Sequence, residues 1–365
     1  MNFELTSGLT LVLIILCSLL LLFGTLLAWQ KLYRRGFLNF TLRFLLLALV
    51  LSMSVSSIGV AINRSQGFYS SWSDLFGSTN SYSVAAIPAK NIKVLDSKFL
   101  KNAKPIGKDL YLLKEVITGK DSLVSNIVYL ILPSQVVQLL KSGKALNAAD
   151  YQVTEFLTGF PSQPEMWFKT LKIEDDISAY NATHPRKIIG VIPEVNVAGT
   201  SDLECMNFGN GQPDAQTWLT SDMHSYLSLR LGIVDTKWVA AGVSTGAWCA
   251  AMFAIDQPNL YKGALSIAGY FRPALPLTDS IVLQDAMKKK YDVATMESKL
   301  VTPVPLYIVA SLGDVYSIRE TTRFLAKPHP LLDINYHEIA TGGHNPRVWK
   351  SAILPGLEWI ISRVN

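Results

Sequence analysis

Cysteine is scarce in this chain of 365 residues, which contains only Cys17, Cys205 and Cys249. They form no C-x-x-C pair, and no cluster of cysteine and histidine has the spacing of a zinc site. We therefore expect neither a metal ion nor another cofactor. Cys17 lies in an apolar run, which leaves Cys205 and Cys249 either to pair in an oxidising compartment or to remain two separate buried thiols.

Charge is also sparse, since charged residues make up 17% of the chain and the net charge of +5 is spread along it. No stretch combines clustered basic residues with interleaved aromatic residues, which is the pattern of nucleic-acid-binding surfaces. We therefore expect no nucleic-acid partner. The sequence favours no particular oligomeric state, and it shows no internal repeat.

The shortage of charge is greatest near the N-terminus, where residues 9–29 and 44–62 form two apolar runs. Each run has about 20 residues, the length that a helix needs to cross the hydrocarbon layer of a bilayer. A signal peptide is the alternative for the first run, but residues 1–8 carry Glu4 and no basic residue. Residues 1–63 are therefore predicted to hold two transmembrane helices.

Basic residues indicate the orientation of these helices. The short connection between them contains Lys31, Arg34 and Arg35, and Arg43 follows at the start of the second helix. Basic residues favour the cytoplasmic side of a membrane. We therefore predict a multi-pass protein of the cell membrane, with a cytoplasmic connection and everything after the second helix outside the cytoplasm.

The rest of the chain divides into a linker and one large domain. Residues 64–105 are rich in Ser, Asn, Gly and Lys, which predicts a juxtamembrane linker. In residues 106–365, short apolar runs alternate with helical patterns, although residues 274–300 read as a polar helical insertion over the sheet. This alternation predicts an α/β fold with a mostly parallel central sheet and helices on both faces.

A Gly-x-Ser-x-Gly pattern occupies residues 242–246, between a predicted strand (238–242) and a predicted helix (245–256). This context is that of a nucleophile elbow, in which a tight strained turn exposes the serine above the sheet. Ser244 is therefore a candidate nucleophile. The alternative is a glycine-flanked turn with a structural serine.

A nucleophilic serine needs a general base, and only His329, His337 and His344 follow Ser244. His337 lies inside a predicted strand and His329 lies between prolines. His344 occupies a glycine-rich loop just beyond the carboxyl end of the last predicted strand, where ligands and catalytic groups of such sheets lie. We therefore predict His344 as the base.

The base needs an orienting carboxylate, which in this type of fold lies between the serine and the histidine in the chain. Asp314 follows the apolar run 306–311 directly, so it also lies beyond the carboxyl end of a strand. It is preferred over Glu320. An aspartate at this position is also suited to cap the next helix, and the two roles are compatible.

Three stretches resemble the esterase D / antigen 85 group of α/β-hydrolases. They are TWLTSDMHSYLSLRLGIVDTKWVAAGVSTGAWCAAMFAIDQPNLYKGALSIAGYF (217–271), EFLTGFPSQPEMWF (155–168) and GGHNPRVW (342–349). The resemblance covers residues 110–365 and implies an α/β-hydrolase with Ser244, Asp314 and His344 as its triad. It also implies that the backbone N–H groups of Phe160 and Thr245 form the oxyanion hole.

The segment 201–209 resembles an acidic, cysteine-containing loop of membrane-anchored members. The resemblance suggests that Asp202 and Glu204 contact a cationic or polyol part of the substrate, whereas an exposed loop with solvated carboxylates is the alternative. Antigen 85 mycolyltransferases differ from this chain at Thr158, Pro161 and Pro346. These departures count against mycolyl transfer to trehalose.

Together these observations predict a membrane-anchored serine esterase that acts through an acyl-enzyme. The expected substrates are lipid or glycolipid esters of the cell envelope. One alternative is an acyltransferase that moves the acyl chain to a sugar or lipid acceptor. The other is a non-catalytic hydrolase-fold protein that binds an envelope component.

Overall fold

The structure, a computed structural model, describes residues 7–33, 36–66, 72, 97–197, 202–209, 211–233, 236–275 and 281–364. The chain divides into two compact units, Met1–Ser78 and Thr79–Asn365. Most of the predicted linker lies outside the described residues, and so do Arg34 and Arg35 of the predicted cytoplasmic connection.

The N-terminal unit consists of two long apolar helices, α1 (Gly8–Trp29) and α2 (Phe37–Gln66). Both are long and apolar enough to cross a membrane, a property that membrane spans share with signal sequences. The predicted spans 9–29 and 44–62 lie within them. The hydroxyl oxygens of Ser18 and Ser57 lie 3.1 Å apart, which joins the two helices through a polar contact.

In the second unit, one mixed sheet organises the described residues. Its nine strands are, in chain order, β1 (Lys104–Ile106), β2 (Leu110–Thr118), β3 (Ser125–Pro133), β4 (Tyr151–Leu157), β5 (Lys187–Pro193), β6 (Trp238–Val243), β7 (Tyr261–Ile267), β8 (Val304–Ser311) and β9 (Leu332–Ile339). They lie in the order β1-β2-β3-β5-β4-β6-β7-β8-β9. The pairs β1–β2, β2–β3 and β3–β5 are antiparallel, and the remaining pairs are parallel. The predicted mostly parallel sheet is thus confirmed.

Helices cover both faces of this sheet, as predicted. They are α3 (Ser134–Lys141), α4 (Met166–Lys169), α5 (Ile173–Thr183), α6 (Met223–Leu231), α7 (Thr245–Asp256), α8 (Ile281–Tyr291), α9 (Val293–Met296), α10 (Val315–Leu325) and α11 (Pro346–Arg363). Helices α4, α5 and α11 pack on one face, and the others contribute side chains to the core on the opposite face. Residues 217–222 add a turn of π-helix before α6.

Two local patterns explain the centre of the fold. The strand β5 reads KIIGVIP and is buried along almost its whole length, as expected for a strand covered on both faces. Helix α7 is apolar on nearly all sides, and its residues 245–255 are accordingly all buried. Both segments have the bounds that the sequence predicted.

The folded domain begins earlier than residue 106. A short 3₁₀ turn at Ser97–Leu100 buries Phe99 and Leu100 in the core, and strand β1 follows it. The guanidinium carbon of Arg230 lies 4.7 Å above the Phe99 ring. The predicted linker boundary was therefore wrong at its C-terminal end, because two isolated apolar residues do not form a recognisable periodic pattern.

The predicted polar insertion at 274–300 contributes more apolar side chains to the core than its polar composition indicates. In its described part, Met287, Tyr291, Val293 and Met296 are buried in the core, while residues 276–280 lie outside the described residues. The segment is helical, as expected. Its lysines are partly or fully exposed, and its buried apolar residues join the core cluster that includes α7.

The start of α7 lies against the end of β4, the strand that pairs with β6. A Cβ atom at Gly246 would lie far inside van der Waals contact with the carbonyl groups of Leu157 and Thr158. Since backbone cannot yield as a flexible side chain does, this contact requires glycine. It sets the distance between the serine turn and the loop that follows β4.

We predict that Gly246→Ala destabilises the domain. Overpacking costs about 1–3 kcal/mol, and each kcal/mol corresponds to about 2–4 °C in the melting temperature of a domain of this size. Thermal unfolding of the purified full chain in detergent measures the effect. Gly343→Ala is the matched control, since the nearest heavy atom to its Cβ would lie 3.8 Å away. Equal melting temperatures for the two variants would contradict the proposed contact.

Candidate active site

Ser244 occupies the turn between β6 and α7. Its backbone has φ 57° and ψ −123°, in the left-handed half of conformational space that few non-glycine residues adopt. Such strain costs of order 1–3 kcal/mol and is concentrated at functional sites. The turn is closed by Gly242, where a Cβ atom would overlap the carbonyl group of Gly246. The serine is thereby raised above the carboxyl end of the sheet.

The structure brings Ser244, His344 and Asp314 into one hydrogen-bonded chain. The Nε2 atom of His344 lies 2.9 Å from Ser244 Oγ, and its Nδ1 atom lies 2.5 Å from Asp314 Oδ2. This geometry is satisfied when Nδ1–H donates to the carboxylate and Nε2 accepts from the serine hydroxyl. The order and spacing are those of a serine, base and acid triad.

Each member is supported by its own element. Asp314 also accepts a hydrogen bond from the backbone N–H of Ser317 at 3.2 Å, so it caps α10 as well as contacting the histidine. The histidine loop is held by the hydroxyl of Ser311, which donates to the carbonyl of Gly342. The ring of His344 packs edge-on against Trp349, with centroids 5.0 Å apart. These contacts restrict the imidazole to the orientation that faces Ser244.

Two of the rejected candidates, His329 and Glu320, have structural partners elsewhere. His329 contacts the carboxylate of Glu297 through Nδ1 at 2.7 Å and the carbonyl of Phe324 through Nε2 at 2.9 Å. Glu320 is buried and accepts hydrogen bonds from arginine side chains. His337 lies on the edge strand β9. The triad roles of Ser244, His344 and Asp314 stay a prediction, which the hydrogen bonds among the three side chains make geometrically possible.

The predicted oxyanion residues lie beside the nucleophile. A Cβ atom at Gly159 would lie 2.7 Å from Ser244 Cβ, so the loop after β4 touches the serine directly and brings Phe160 next to it. Thr245 is the first residue of α7, whose first N–H groups have no intrahelical partner. Phe160 and Thr245 are thus each next in the chain to a residue of this contact, and their roles as oxyanion donors stay a prediction.

The loop around Glu204 differs from both expectations for it. The Glu204 side chain faces the protein interior, where it accepts hydrogen bonds from the Tyr270 hydroxyl and the Ala274 N–H, each at 2.8 Å. Both carboxyl oxygens are thus bound by protein groups, so neither a substrate contact nor a solvated carboxylate describes this residue. Asp202 accepts from the N–H of Glu204 at 2.9 Å, and its contact with a substrate stays a prediction.

Tyr270 is a site residue that sequence reasoning missed. Its hydroxyl lies 3.3 Å from Thr245 Oγ1 as well as near Glu204, so it connects the start of α7 to the buried carboxyl group. Its position soon after β7, at the carboxyl edge of the sheet, was the available signal.

Cys205 and Cys249 form a disulfide, with an S–S distance of 2.01 Å and a Cα–Cα distance of 5.9 Å. The bond ties the Glu204 loop to α7, the helix that follows Ser244. The indole N–H of Trp248 donates to the carbonyl of Glu204 at 3.3 Å and strengthens the same connection. Among the described residues, no group of three or more His, Cys, Asp or Glu side chains is placed to hold a metal ion.

Solved structures with the same fold support the identification of this architecture. A ferulic acid esterase matches with a TM-score of 0.56 and 15% identity, over 72% of this chain and 100% of its own. An S-formylglutathione hydrolase from Agrobacterium tumefaciens matches with a TM-score of 0.57 and 11% identity, with the same coverage of 72% and 100%. The chain has the α/β-hydrolase fold.

A third α/β-hydrolase, the fluorophosphonate-binding serine hydrolase F of Staphylococcus aureus, matches with a TM-score of 0.54 and 14% identity over 69% of this chain and 98% of its own. No protein-family model matches the chain. An uncharacterised protein of Corynebacterium glutamicum is 22% identical over 234 residues, or 58% of this chain and 53% of that protein. The chain thus spans about half the length of this relative. The resemblance to esterase D-like α/β-hydrolases is confirmed at the level of the fold.

Three buried ionisable groups, Glu204, Glu155 and His224, have strongly shifted pKa values. Burial, followed by the nearby charge of Asp202, raises the pKa of Glu204 to about 8. Burial also raises the pKa of Glu155 to about 8, although the Tyr261 hydroxyl donates to it at 2.6 Å. Burial lowers the pKa of His224 to about 4.

We predict that the domain loses stability as the pH rises from about 6.5 to about 8. In this window the folded state holds protons on Glu204 and Glu155 that the unfolded state, with glutamate pKa values near 4.3, has released. His224 acts below about 6.5 and in the opposite direction, so it does not contribute here. Melting temperatures across this range test the prediction.

The variant Glu204→Gln separates the two glutamates. It cannot ionise, so its melting temperature should fall less steeply with pH than that of the wild type, while Glu155 maintains part of the slope. A wild-type melting temperature that is constant over this window would refute the protonated state of both groups.

Proposed function

We propose that the chain is a serine carboxylic-ester hydrolase that acts through an acyl-enzyme. The observation that carries this proposal is the hydrogen-bonded chain from Ser244 Oγ through His344 to Asp314. It lies at the carboxyl edge of the sheet, where α/β proteins bind their ligands. The strained turn and the adjacent loop after β4 supply the surroundings that acyl transfer requires.

In the proposed first step, Ser244 Oγ attacks the ester carbonyl carbon while its proton passes to His344 Nε2. Asp314 stabilises the imidazolium by accepting the hydrogen bond from Nδ1–H. Negative charge develops on the former carbonyl oxygen, and the N–H groups of Phe160 and Thr245 stabilise it. The positive end of α7 adds to this stabilisation.

The tetrahedral intermediate then collapses. The bond between the carbonyl carbon and the alcohol oxygen breaks, and the leaving alcohol takes the proton from His344 Nε2. Water repeats the sequence on the acyl-enzyme, giving up a proton to His344 and releasing the carboxylic acid and the free serine. If an alcohol replaced the water, the product would be a new ester, so product analysis separates hydrolysis from acyl transfer.

We further propose that α1 and α2 anchor the domain in the cell membrane, with the domain outside the cytoplasm. Their length and apolar composition support anchoring, and Lys31 with the neighbouring Arg34 and Arg35 supports the orientation. The disulfide supports it independently, since disulfides persist in oxidising compartments. Tethering raises the local concentration of membrane components, which favours lipid or glycolipid esters of the envelope as substrates.

An active-site-directed fluorophosphonate tests the assignment of the nucleophile. We expect it to label the wild-type chain and to leave Ser244→Ala unlabelled, because the probe bonds to the activated serine oxygen. Asp314→Asn should react about 10⁴-fold more slowly, because an asparagine at this position favours the wrong tautomer of the histidine, which lowers the rate of triad enzymes by about this factor. Labelling followed by gel fluorescence measures these rates.

Ser298→Ala is the control for this experiment, because Ser298 is exposed and donates only to the carbonyl of Thr295 among its described contacts. It should label like the wild type. Equal labelling of wild type and Ser244→Ala would rule out Ser244 as the nucleophile.

A cysteine at position 301 tests the orientation. Val301 is 91% exposed, and Cys17→Ser removes the free thiol of the chain, so that Val301→Cys carries the reactive group. In intact cells, a membrane-impermeant maleimide should label Val301→Cys in the Cys17→Ser background but not Cys17→Ser alone. Labelling only after the cells are lysed would place the domain in the cytoplasm.

A further inference from the structure

Three exposed apolar side chains flank the candidate catalytic acid. Leu312, Val315 and Tyr316 are 51%, 74% and 44% exposed. They lie at the end of β8 and in the first turn of α10, on either side of Asp314. Exposed apolar side chains that adjoin a candidate active site form a surface on which an apolar part of a substrate can lie.

This apolar surface adjoins the candidate triad. Leu312 and Val315 flank Asp314, whose Oδ2 contacts Nδ1 of His344, and Nε2 of the same ring lies 2.9 Å from Ser244 Oγ. The His344 side chain is 37% exposed, so the apolar side chains and the histidine open to solvent on the same side of the loop pair. From within, the Tyr316 ring is supported by the buried Tyr270 ring, with centroids 5.7 Å apart.

Two arginines lie further along α10, and a third, Arg272, reaches the same place from the segment after β7. Arg272, Arg319 and Arg323 converge on the carboxylate of Glu320, with N–O distances of 3.2, 3.2 and 3.0 Å. Their side chains are about half exposed, whereas Glu320 is 5% exposed. The guanidinium carbon of Arg319 also lies 5.2 Å from the centroid of the Tyr316 ring, which joins the arginines to the apolar surface.

The charges of this arginine cluster do not balance. Three guanidinium groups surround one carboxylate, so the cluster carries two positive charges in excess. Each guanidinium has five N–H donors, of which the contacts with Glu320 use a small part. The buried carboxylate of Glu320 needs a cationic partner, but one arginine balances its charge, so it does not explain why three cations are held together. An anionic ligand would relieve their mutual repulsion and use their remaining donors in bidentate contacts.

We propose that the exposed face of α10, together with Arg272, is a substrate subsite for an ester with an apolar segment followed by an anionic group. The apolar segment lies on Leu312, Val315 and Tyr316. The anionic group, a carboxylate or a phosphate, binds the arginine cluster. With a rise of 1.5 Å per helical residue, Val315 and Arg323 are about 12 Å apart along α10, which gives the separation of the two parts. This inference rests on the proposed esterase function and names the substrate class of that site.

A matched pair of esters tests the subsite in the full chain in non-ionic detergent. The 4-nitrophenyl monoester of suberic acid carries a free terminal carboxylate, and its methyl ester has the same chain without the charge. We expect the wild type to prefer the anionic ester in kcat/KM. In Arg319→Gln, the ratio of the two values should fall roughly 5- to 20-fold, mainly through the KM of the anionic ester.

Two further variants distinguish the loss of a specific arginine contact at the subsite from a change in the net charge of the protein. Arg319→Lys should retain part of the preference, because the charge remains while the bidentate geometry is lost. Arg363→Gln removes an arginine that lies 3.6 Å from Asp333. Asp333 is at the amino end of β9, whereas the candidate site is at the carboxyl ends of the strands. It should leave both esters unaffected. An unchanged ratio in Arg319→Gln would overturn the subsite.

Direct binding distinguishes failure of the subsite from failure of the esterase proposal. Hexyl phosphate should bind Ser244→Ala more tightly than either hexanol or inorganic phosphate, and Arg319→Gln should weaken its binding. This result would support the subsite even if neither ester were hydrolysed and no fluorophosphonate reacted. Equal binding of inorganic phosphate and hexyl phosphate would show a simple anion site and contradict the apolar part of the proposal.

Discussion

The site depends on one close approach of backbone to backbone, where the first turn of α7 lies against the end of β4. Gly246 permits that approach because any side chain at this position would overlap the Leu157 carbonyl. Gly242 and Gly159 permit the neighbouring contacts with the turn and with Ser244. As a result, the serine, the helix N-terminus and the loop carrying Phe160 have a fixed spacing. The proposed mechanism depends on this spacing, because the oxyanion of a tetrahedral intermediate must reach N–H groups that are already in place.

A buried polar network lies behind this contact and limits the movement of α7 from the interior of the domain. Glu204 joins Tyr270 to the Ala274 backbone, and the neighbouring disulfide attaches its loop to α7. Such a network is favourable only when its polar groups are satisfied, since low dielectric makes an unpaired group costly. Here the carboxyl oxygens of Glu204 both have partners. The network therefore stabilises the Ser244 turn from the interior.

The parallel sheet explains why residues that are distant in the chain meet at one edge. Ser244, Asp314 and His344 follow β6, β8 and β9, and the carboxyl ends of parallel strands point the same way. The strand connections supply the reactive groups, and the helices that follow supply the surrounding surface. The exposed face of α10 begins at Asp314 itself. The proposed catalysis and the proposed substrate selection thus share one element.

The sequence by itself determined the parts that depend on local pattern. Apolar periodicity indicated the strands and α7, the lengths of the apolar runs indicated α1 and α2, and the ends of the strands indicated His344 and Asp314. Only the tertiary structure decided which polar groups are paired and buried. The Tyr261–Glu155 and Tyr270–Glu204 contacts join residues 106 and 66 positions apart, as the arginine cluster joins Arg272 to α10. No local periodicity encodes such contacts, because they depend on how whole strands and helices are packed. The same dependence on packing explains Glu204: its loop is acidic and has the composition of an exposed loop, yet the Glu204 side chain lies in the interior.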